Sequence, residues 1–341
     1  MMPRVAAGSG DERSGDRVSE PRPRLRPLPS DGDLRTLLAD RLEPAHIEAR
    51  LKLEALGPQP AFGTRFFIRP LEKWLFSASS VRLMLRLMGL YGRGRRNALD
   101  IRVTAHVVPI RRLPDAFQGL RILHLSDLHL DMNDKLPGAL IRCVSELSYD
   151  LVVLTGDYRY ETFGPSEPAL QALSRLREAL HAPIFAVLGN HDSLRIVPVL
   201  EELGMRVLLN EWTVIERSGQ NLYLAGVDDP HFFRLGDARR ARAGIPVSAP
   251  SILLAHSPEI YAEAAAAGFD AMFCGHTHGG QIRLPGEIAL LYNAHCPRRF
   301  CSGGWTYRNL SGYTSVGAGA SLVDVRLNCR PEVVIHNLTA A

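Results

Sequence analysis

Short apolar runs alternate with amphipathic stretches from about residue 100 onward. The runs are continuous and rich in Val, Ile and Leu, as in strands that are buried on both faces. The stretches between them have helical periodicity, so the pattern predicts an α/β fold with a largely parallel sheet. The runs are LRILHLSD, DLVVLTGD, PIFAVLGN, NLYLAGVD, SILLAHS and DAMFCGH.

The helical stretches stop after Gln281. The remaining apolar segments, EIALLY, WTYRNLSGYTSVG and PEVVIHNL, have no helical segment between them. They predict a second set of strands that is more antiparallel than the first.

Polar side chains follow five of the apolar runs, at the point where each predicted strand ends. Ligands of α/β sheets bind beyond the carboxyl ends of the strands. Burying so many polar groups without partners would cost about 1–3 kcal/mol for each group, and a cation at their centre removes that cost. The side chains are Asp127, His129, Asp157, Asn190, His191, Asp192, His256, His276 and His278.

The types of these side chains indicate which metals would bind. Imidazole nitrogens mixed with carboxylate and amide oxygens, without cysteine, favour Mn²⁺, Fe²⁺, Zn²⁺ or Co²⁺. The candidates are too many for one tetrahedral site with an open position. They suit two divalent ions that share a bridging carboxylate, an arrangement that generates hydroxide near neutral pH and neutralises phosphoryl oxygens.

The motifs DLH, GDY, GNHD, AHS and GHTH, in this order and strand context, resemble those of the calcineurin-like metallophosphoesterase family. The resemblance extends over residues 118–340 and depends on all five motifs, because a single one is common. It implies a four-layer sandwich of two mixed β-sheets flanked by helices. It also implies hydrolysis of a phosphodiester or pyrophosphate bond by attack of a metal-bound hydroxide.

The resemblance further implies a role for each candidate residue. His191 matches the family's histidine that acts as a general acid or stabilises the transition state, and Asp157 matches the carboxylate that bridges the two ions. The ligands of one ion match Asp127, His129 and His278, and those of the other match Asn190, His256 and His276.

Longer segments are similar to the membrane-associated branch of this family that includes YkuE and YaeI, and to the chlamydial enzyme that cleaves UDP-2,3-diacylglucosamine. These segments include LPDAFQGLRILHLSDLHL, LAGVDDP, LLAHSPE and GHTHGGQIRLPG. The similarity implies a lipid-linked phosphoester substrate. The chain departs from the branch at TSVGAGAS, where an SRGLG-like stretch with an arginine is usual. The alternative function is a non-catalytic metal-binding scaffold of the same fold, although such members often lose ligands that this chain keeps.

The front of the chain has a different charge from the rest. Residues 1–112 carry 21 Lys and Arg against 12 Asp and Glu, whereas the remainder carries 19 against 24. We predict a disordered Pro/Arg-rich tail over residues 1–32, a basic helical extension over 33–99 and a metallophosphoesterase domain over 100–341. Within the extension, residues 33–56 predict one or two amphipathic helices around Pro44.

Residues 66–91 alternate Leu, Met, Phe and Trp with Arg and Lys, and GRGRR follows them. A basic amphipathic helix of this kind suits a membrane interface, which predicts peripheral membrane contact through residues 66–96. The alternative is a helix packed on the catalytic body with its charges in water. The N-terminus has no apolar signal segment and no run is apolar enough to span a membrane. We therefore expect a cytoplasmic enzyme, peripheral on the inner face of the membrane if the helix binds lipid.

Cysteine usage and charge exclude two classes of protein. The five cysteines are odd in number and widely spaced, which argues against a disulfide framework and fits a reducing compartment. Cys296 and Cys301 could bind a metal or form a bridge, but two ordinary small residues in a loop are favoured. The acidic body has no strip of aromatic and basic residues, so we expect a small-molecule or lipid-linked substrate and no nucleic acid.

Four other polar or glycine positions have structural interpretations. His124 lies inside a predicted strand and is expected to be a core histidine with satisfied hydrogen bonds. His231 is expected on a surface loop rather than at the substrate. Asp192 either orients His191 or caps the following helix. Residues 279–280, both glycine, allow the backbone to turn close to the metals.

Overall fold

The computed structural model describes residues 25–57, 77–286, 288–289 and 291–341. The strands are β1 (Arg102–Ile110), β2 (Arg121–Leu125), β3 (Leu151–Leu154), β4 (Ile184–Ala186), β5 (Met205–Val207), β6 (Glu211–Arg217), β7 (Gln220–Gly226), β8 (Ser251–Leu254), β9 (Ala271–Cys274), β10 (Arg283–Leu284), β11 (Ile288–Ala289), β12 (Gly303–Tyr307), β13 (Leu310–Thr314) and β14 (Glu332–Ala340). The first sheet has the order β1-β14-β2-β3-β4-β5 and the second has the order β12-β13-β9-β8-β7-β6, while β10 and β11 form a hairpin.

The two sheets pack face to face. Ile122 and Val153 of the first sheet lie in one apolar core with Leu224 and Phe273 of the second. Both sheets are mixed, but β2, β3 and β4 are parallel neighbours in one and β8 and β9 are parallel neighbours in the other. Their carboxyl ends therefore lie at the edges from which the candidate side chains emerge.

Helices cover the outer face of each sheet, which completes the predicted four-layer sandwich. The burial of Leu140, Leu173 and Leu200 ties three helices to the first sheet, and Ala241 and Ala264 tie two more to the second. The described helices are α1 (Asp31–Leu38), α2 (Pro44–Ala55), α3 (Ala78–Leu87), α4 (Tyr91–Asn97), α5 (Leu136–Ser145), α6 (Glu167–Glu178), α7 (Val197–Glu202), α8 (Ala238–Arg242) and α9 (Tyr261–Ala267).

The prediction of a separate second strand set after Gln281 is wrong. β14 inserts into the first sheet, parallel to β1 and antiparallel to β2, whereas β12 and β13 extend the second sheet. The first five residues of β14 are all buried, because this strand lies inside a sheet that is covered on both faces. The C-terminal chain thus connects both sheets instead of building one of them.

Of the one or two helices predicted around Pro44, the structure has two. Ser30 and Asp33 form a capping box at the start of α1, and Pro44 is the first residue of α2. Both helices bury leucine and isoleucine side chains in the same core as the outer face of the first sheet. Arg50 of α2 is fully buried and lies 3.1 Å from the Asp228 carboxylate, so α2 is tied to the body by an ion pair as well.

The basic amphipathic segment predicted over residues 66–91 is described only from residue 77 onward. There, Val81 and Leu85 of α3 pack against Val323 and Val325 of the body, as the packing alternative predicts for that face. Residues 66–76, and the part of the predicted tail before residue 25, lie outside the described residues. Within the described part of the chain, no helix is both long and apolar enough to cross a membrane.

Candidate metal centre

The seven predicted metal ligands converge where the carboxyl ends of β2, β3, β4, β8 and β9 meet. Each lies in the short segment that follows its strand, and all seven are buried. Six of them form two groups, and within each group the ligand atoms lie within 4.8 Å of one another. The first contains Asp127, His129 and His278, and the second contains Asp157, His256 and His276. Asn190 adjoins the second group, with Oδ1 3.0 Å from His256 Nε2.

Asp157 belongs to the second group and also faces the first. Its Oδ2 is 3.3 Å from Nε2 of His256 in one group and 3.7 Å from Nε2 of His129 in the other. The other oxygen, Oδ1, accepts a hydrogen bond of 2.9 Å from the backbone N–H of His191. A carboxylate with one oxygen facing both groups has the position that a bridging ligand requires.

Backbone carbonyls fix the tautomers of two candidate histidines. His129 Nδ1 lies 2.7 Å from the carbonyl of Arg159, and His256 Nδ1 lies 2.8 Å from that of Thr155. A carbonyl only accepts hydrogen bonds, so each Nδ1 carries a hydrogen and each Nε2 is the ring nitrogen that faces the centre.

The lone pairs that point into the centre need a positive partner. His256 Nε2 lies 3.0 Å from Asn190 Oδ1 and 3.3 Å from Asp157 Oδ2, two oxygens that only accept hydrogen bonds, and 3.1 Å from Nδ1 of His276. His276 Nε2 is buried without any hydrogen-bond partner. Acceptors packed this closely repel one another, and cations between them turn the repulsion into attraction. The donor set therefore fits divalent metal ions.

Charge in the centre shifts several pKa values. Burial is the largest cause of the rise of the Asp127 pKa to about 6, and Asp157 adds to it. Burial opposes the charged form of His256, but Asp157 and Asp127 outweigh it and raise the pKa of that imidazole to about 10. The pKa of Asp157 lies well below its usual value despite burial, because His256, His191 and His129 surround it. The carboxylates of Asp127 and Asp157 therefore favour a positive charge at this buried site.

The backbone of the centre adopts conformations that side chains rarely favour. Five of the seven candidate ligands have positive φ angles between 40° and 70°. Such angles cost about 1–3 kcal/mol each and cluster at functional sites. The five residues are Asp127, His129, Asp157, His276 and His278.

Glycine permits close approaches between these strand ends. Gly279 has a φ of 58°, and a Cβ there would lie 2.5 Å from the Val316 side chain. Gly275 has no such angle, but a Cβ there would lie 2.2 Å from Oδ2 of Asp127. Any larger residue at position 275 would therefore push the β9 end away from a candidate ligand.

His191 differs from the seven buried ligands because its side chain is 20% exposed. Its Nε2 lies 3.8 Å from Asp157 Oδ2, and its Nδ1 lies 3.2 Å from the Thr162 hydroxyl. Arg159 donates to the backbone carbonyl of His191 and to the carbonyls of Thr162 and Gly164. The imidazole is therefore held at the rim of the centre with one nitrogen directed inward.

Asp192 has neither of the two roles predicted for it. Ser193, not Asp192, caps the short helical turn that follows. The Asp192 carboxylate accepts the backbone N–H groups of Asp157, Tyr158 and Gly189 at 2.7, 3.0 and 2.8 Å. It therefore fixes the turn that carries the candidate bridging residue.

His231 is also closer to the centre than predicted. Its ring centroid lies 4.0 Å from that of His276, and its Nδ1 lies 2.9 Å from the Glu259 carboxylate. Burial lowers the pKa of His276 well below its usual value, and His231 contributes to that shift. The loop after β7 folds back onto the site, which the local sequence DDPHFF does not reveal.

Arg326 was missed by sequence reasoning. It is fully buried and donates to the carbonyls of Val316, Gly317 and Gly319, with Nη2 3.3 Å from His278 Nδ1. Its position inside an apolar segment, LVDVRLN, was the available signal. Because it is buried, it holds the loop around His278 and does not replace the arginine that is missing from TSVGAGAS.

The other two predictions about single residues have clear outcomes. His124 is fully buried with both ring nitrogens in hydrogen bonds, as predicted for a core histidine. Cys296 and Cys301 have sulfur atoms 3.7 Å apart and remain free thiols. Neither cysteine belongs to the two metal-ligand groups of the described residues.

Known proteins similar to this chain share the chemistry that the site geometry indicates. Residues 120–280 match the family model of the calcineurin-like phosphoesterases. The chain is 30% identical over 272 residues to the uncharacterized metallophosphoesterase YkoQ of Bacillus subtilis, an alignment that covers 76% of this chain and 98% of YkoQ.

Two further relatives have named activities. The phosphodiesterase YaeI of Escherichia coli is 34% identical over 233 residues, which cover 64% of this chain and 82% of YaeI. The UDP-2,3-diacylglucosamine pyrophosphatase LpxG of Chlamydia trachomatis is 27% identical over 233 residues, which cover 51% of this chain and 68% of LpxG.

Proposed function

The chain belongs to the calcineurin-like metallophosphoesterase family, as its motifs predicted, and is a metal-dependent phosphoester hydrolase; we propose that it cleaves a phosphodiester or pyrophosphate bond at a dinuclear centre. The proposal rests on one observation: two three-residue groups lie side by side, and Asp157 of the second group also faces the first. Two divalent ions held there would activate a water molecule and neutralise the negative charge on the phosphoryl oxygens.

The ligands proposed for these ions are the seven residues whose acceptor atoms point into the centre. Asp157 would bridge, since its Oδ2 faces both groups. The mixture of imidazole, carboxylate and amide donors supports Mn²⁺, Fe²⁺ or Zn²⁺. One ion would bind Asp127, His129 and His278, and the other Asn190, His256 and His276.

His191 is the proposed general acid. In the reaction, a water molecule would lose one proton to solvent and its oxygen would bond to phosphorus, the bond between phosphorus and the leaving oxygen would break, and that oxygen would take a proton from His191. Its position supports this role, because His191 is a partly exposed imidazole at the rim of the centre and faces Asp157. Thr162 and the Arg159 clamp on the backbone would keep the ring oriented toward the leaving group.

Hydrolysis of bis-p-nitrophenyl phosphate by the purified protein with Mn²⁺ tests the function directly. We expect turnover by the wild type, and a loss of at least about 1,000-fold for Asp157→Ala and about 100-fold for His191→Ala. Equal rates for wild type and both variants, with Mn²⁺, Fe²⁺ or Zn²⁺, would favour the metal-binding scaffold instead.

The physiological substrate is proposed to be lipid-linked, such as UDP-2,3-diacylglucosamine. The support is the similarity to LpxG and the basic amphipathic character of residues 66–96. These residues would keep the enzyme at the cytoplasmic face of the membrane. Sedimentation with anionic liposomes, before and after deletion of residues 60–96, tests the membrane contact; equal sedimentation would exclude it.

A further inference from the structure

The cavity at the candidate metal centre has two chemically different ends. Its volume is about 330 Å³. Asp157, His191 and His278 line one end, where the phosphoester is proposed to react. Aliphatic side chains form much of the remaining wall, namely Val81, Met84, Ile282, Leu291, Leu322 and Val323.

The aliphatic wall continues onto the exposed surface of α3. Val81 and Leu85 face the body, whereas the side chains two and three residues further along the chain face outward. Met84 belongs to both surfaces, because it lines the cavity and is 51% exposed. The exposed residues, spaced along one helical face, are Leu83, Met84, Leu87 and Met88.

Two other loops place apolar side chains at the mouth. Leu291 is 64% exposed and Leu322 is 43% exposed, and both line the same cavity as Met84. Single exposed leucines are ordinary, but apolar side chains from three separate segments around one cavity form a continuous patch. With a small polar substrate in the cavity, this patch would stay in contact with water.

We propose that the apolar part of this cavity binds the hydrocarbon portion of an amphiphilic phosphoester while its phosphate lies at the metal centre. The inference rests on the proposed function, because the inner end of the cavity is the proposed reaction site. It assigns substrate selectivity to Met84, Leu291 and Leu322, none of which belongs to the predicted site. Transfer of hydrocarbon from water to these side chains drives the binding.

Chain-length dependence of hydrolysis tests the assignment. We compare methyl p-nitrophenyl phosphate with octyl p-nitrophenyl phosphate, below the micelle-forming concentration, with Mn²⁺. Each buried methylene increases affinity about fourfold, so burial of about three of them gives the octyl ester an advantage of about 50-fold in kcat/KM. In the double variant Met84→Ser with Leu322→Ser, that ratio is expected to fall to below about fivefold.

A binding assay without turnover separates this inference from the proposed function. The fluorescent probe 11-(dansylamino)undecanoic acid is bound to the full chain with Mn²⁺ and displaced by octyl phosphonate or methyl phosphonate, neither of which has a phosphoester bond to hydrolyse. We expect displacement by the octyl compound at a concentration at least about tenfold lower. The double variant is expected to bind the probe at least about tenfold more weakly, and the matched control Val247→Ser, an exposed apolar residue outside the cavity, to bind it as the wild type does.

Each result has a distinct meaning. If the octyl phosphonate displaces the probe more readily than the methyl phosphonate but neither ester is hydrolysed, the proposed function is contradicted and the hydrocarbon site is retained. Hydrolysis of both esters with equal kcat/KM, and probe binding that the double variant does not weaken, overturns the hydrocarbon site and retains the phosphoesterase. Weakening by Val247→Ser as large as that by the double variant also overturns it, because the binding would then be a general surface effect.

Discussion

Two clusters of histidines lie within the same fold and differ in almost every physical respect. The candidate metal centre brings four imidazoles together with two aspartates at the strand ends. A second cluster lies between the sheets and consists of His106 on β1, His336 on β14 and His124 on β2. We call these three the inter-sheet histidines.

The inter-sheet histidines satisfy one another. His124 Nε2 lies 2.9 Å from the Thr155 hydroxyl, His124 Nδ1 lies 3.1 Å from His336 Nε2, and His336 Nδ1 lies 3.1 Å from His106 Nδ1. One set of neutral tautomers gives each of these contacts a donor and an acceptor. In the metal centre the imidazoles also face carboxylate oxygens, which only accept: Oδ2 of Asp157 lies 3.3 Å from His256 Nε2 and 3.7 Å from His129 Nε2.

Backbone and charge separate the two clusters further. The inter-sheet histidines lie in strands and none has a positive φ angle, whereas five candidate ligands do. Burial lowers the pKa of His124 to about 3 and also lowers those of His129, His276 and His278, whereas the aspartates of the centre raise that of His256 to about 10. A cluster of histidines therefore indicates a metal only when carboxylates join it and the backbone is strained to aim the donors.

Loss of a ligand gives the largest expected difference between the clusters. We expect His129→Ala to lower kcat/KM for bis-p-nitrophenyl phosphate by at least about 1,000-fold and to lower the bound metal measured after dialysis. His124→Leu is expected to keep the metal content of the wild type. Equal metal content in His129→Ala and the wild type would remove His129 from the ligand set.

Substitution of His191 tests whether this residue is a general acid or a metal ligand. His191→Asn is expected to lower kcat by about 100-fold while the metal content stays at the wild-type value, since the ring is at the rim and the seven ligands remain. Steady-state kinetics measures kcat, and metal analysis of the same protein measures the metal content. A parallel loss of metal and of kcat would make His191 a ligand rather than a general acid.

The inter-sheet histidines are expected to affect stability instead. His124→Leu leaves a buried nitrogen of His336 and the Thr155 hydroxyl without their partner, which should lower the free energy of unfolding by about 2 kcal/mol. Urea unfolding measures it. His181→Leu makes the same change at an exposed histidine and should shift the free energy by less than about 0.5 kcal/mol.

Acid is expected to lower the free energy of unfolding through His124. The pKa of His124 falls from 6.5 to about 3 on folding, so the unfolded chain binds a proton between these values that the folded chain does not. The free energy of unfolding therefore decreases as the pH falls through this window. His124→Leu should reduce that slope by about 1.4 kcal/mol per pH unit. Identical slopes for wild type and His124→Leu would show that His124 is protonated in the folded protein.

The strand ends show how much of the site could be predicted. Five motifs in order placed all the candidate ligands, because in parallel strands the carboxyl ends must share an edge. Local sequence also identified His124 as a core residue, since a histidine within a continuous apolar run has both faces covered. The strands of the first sheet from β2 to β4 and the helices between them were predicted for the same reason.

Contacts between distant segments explain what was missed. The position of β14 inside the first sheet depends on pairing with β1, more than 200 residues away in the chain. His231 reaches the site on the loop that folds back after β7. Asp192 accepts hydrogen bonds from the turn after β3, and Arg326 donates to buried backbone carbonyls. Nothing in their immediate neighbours specifies those contacts.

The amino-acid sequence by itself determined the family, the strand–helix alternation and the identity of the candidate ligands, because these depend on local pattern and on the order of motifs. Tertiary structure alone decided which imidazoles face carboxylates as well as one another and which face only other neutral groups. It also decided that α3 contributes Met84 to the cavity wall beside the metal centre. The physical reason is that lone-pair direction, burial and shared cavities depend on the packing of segments that are far apart in the chain.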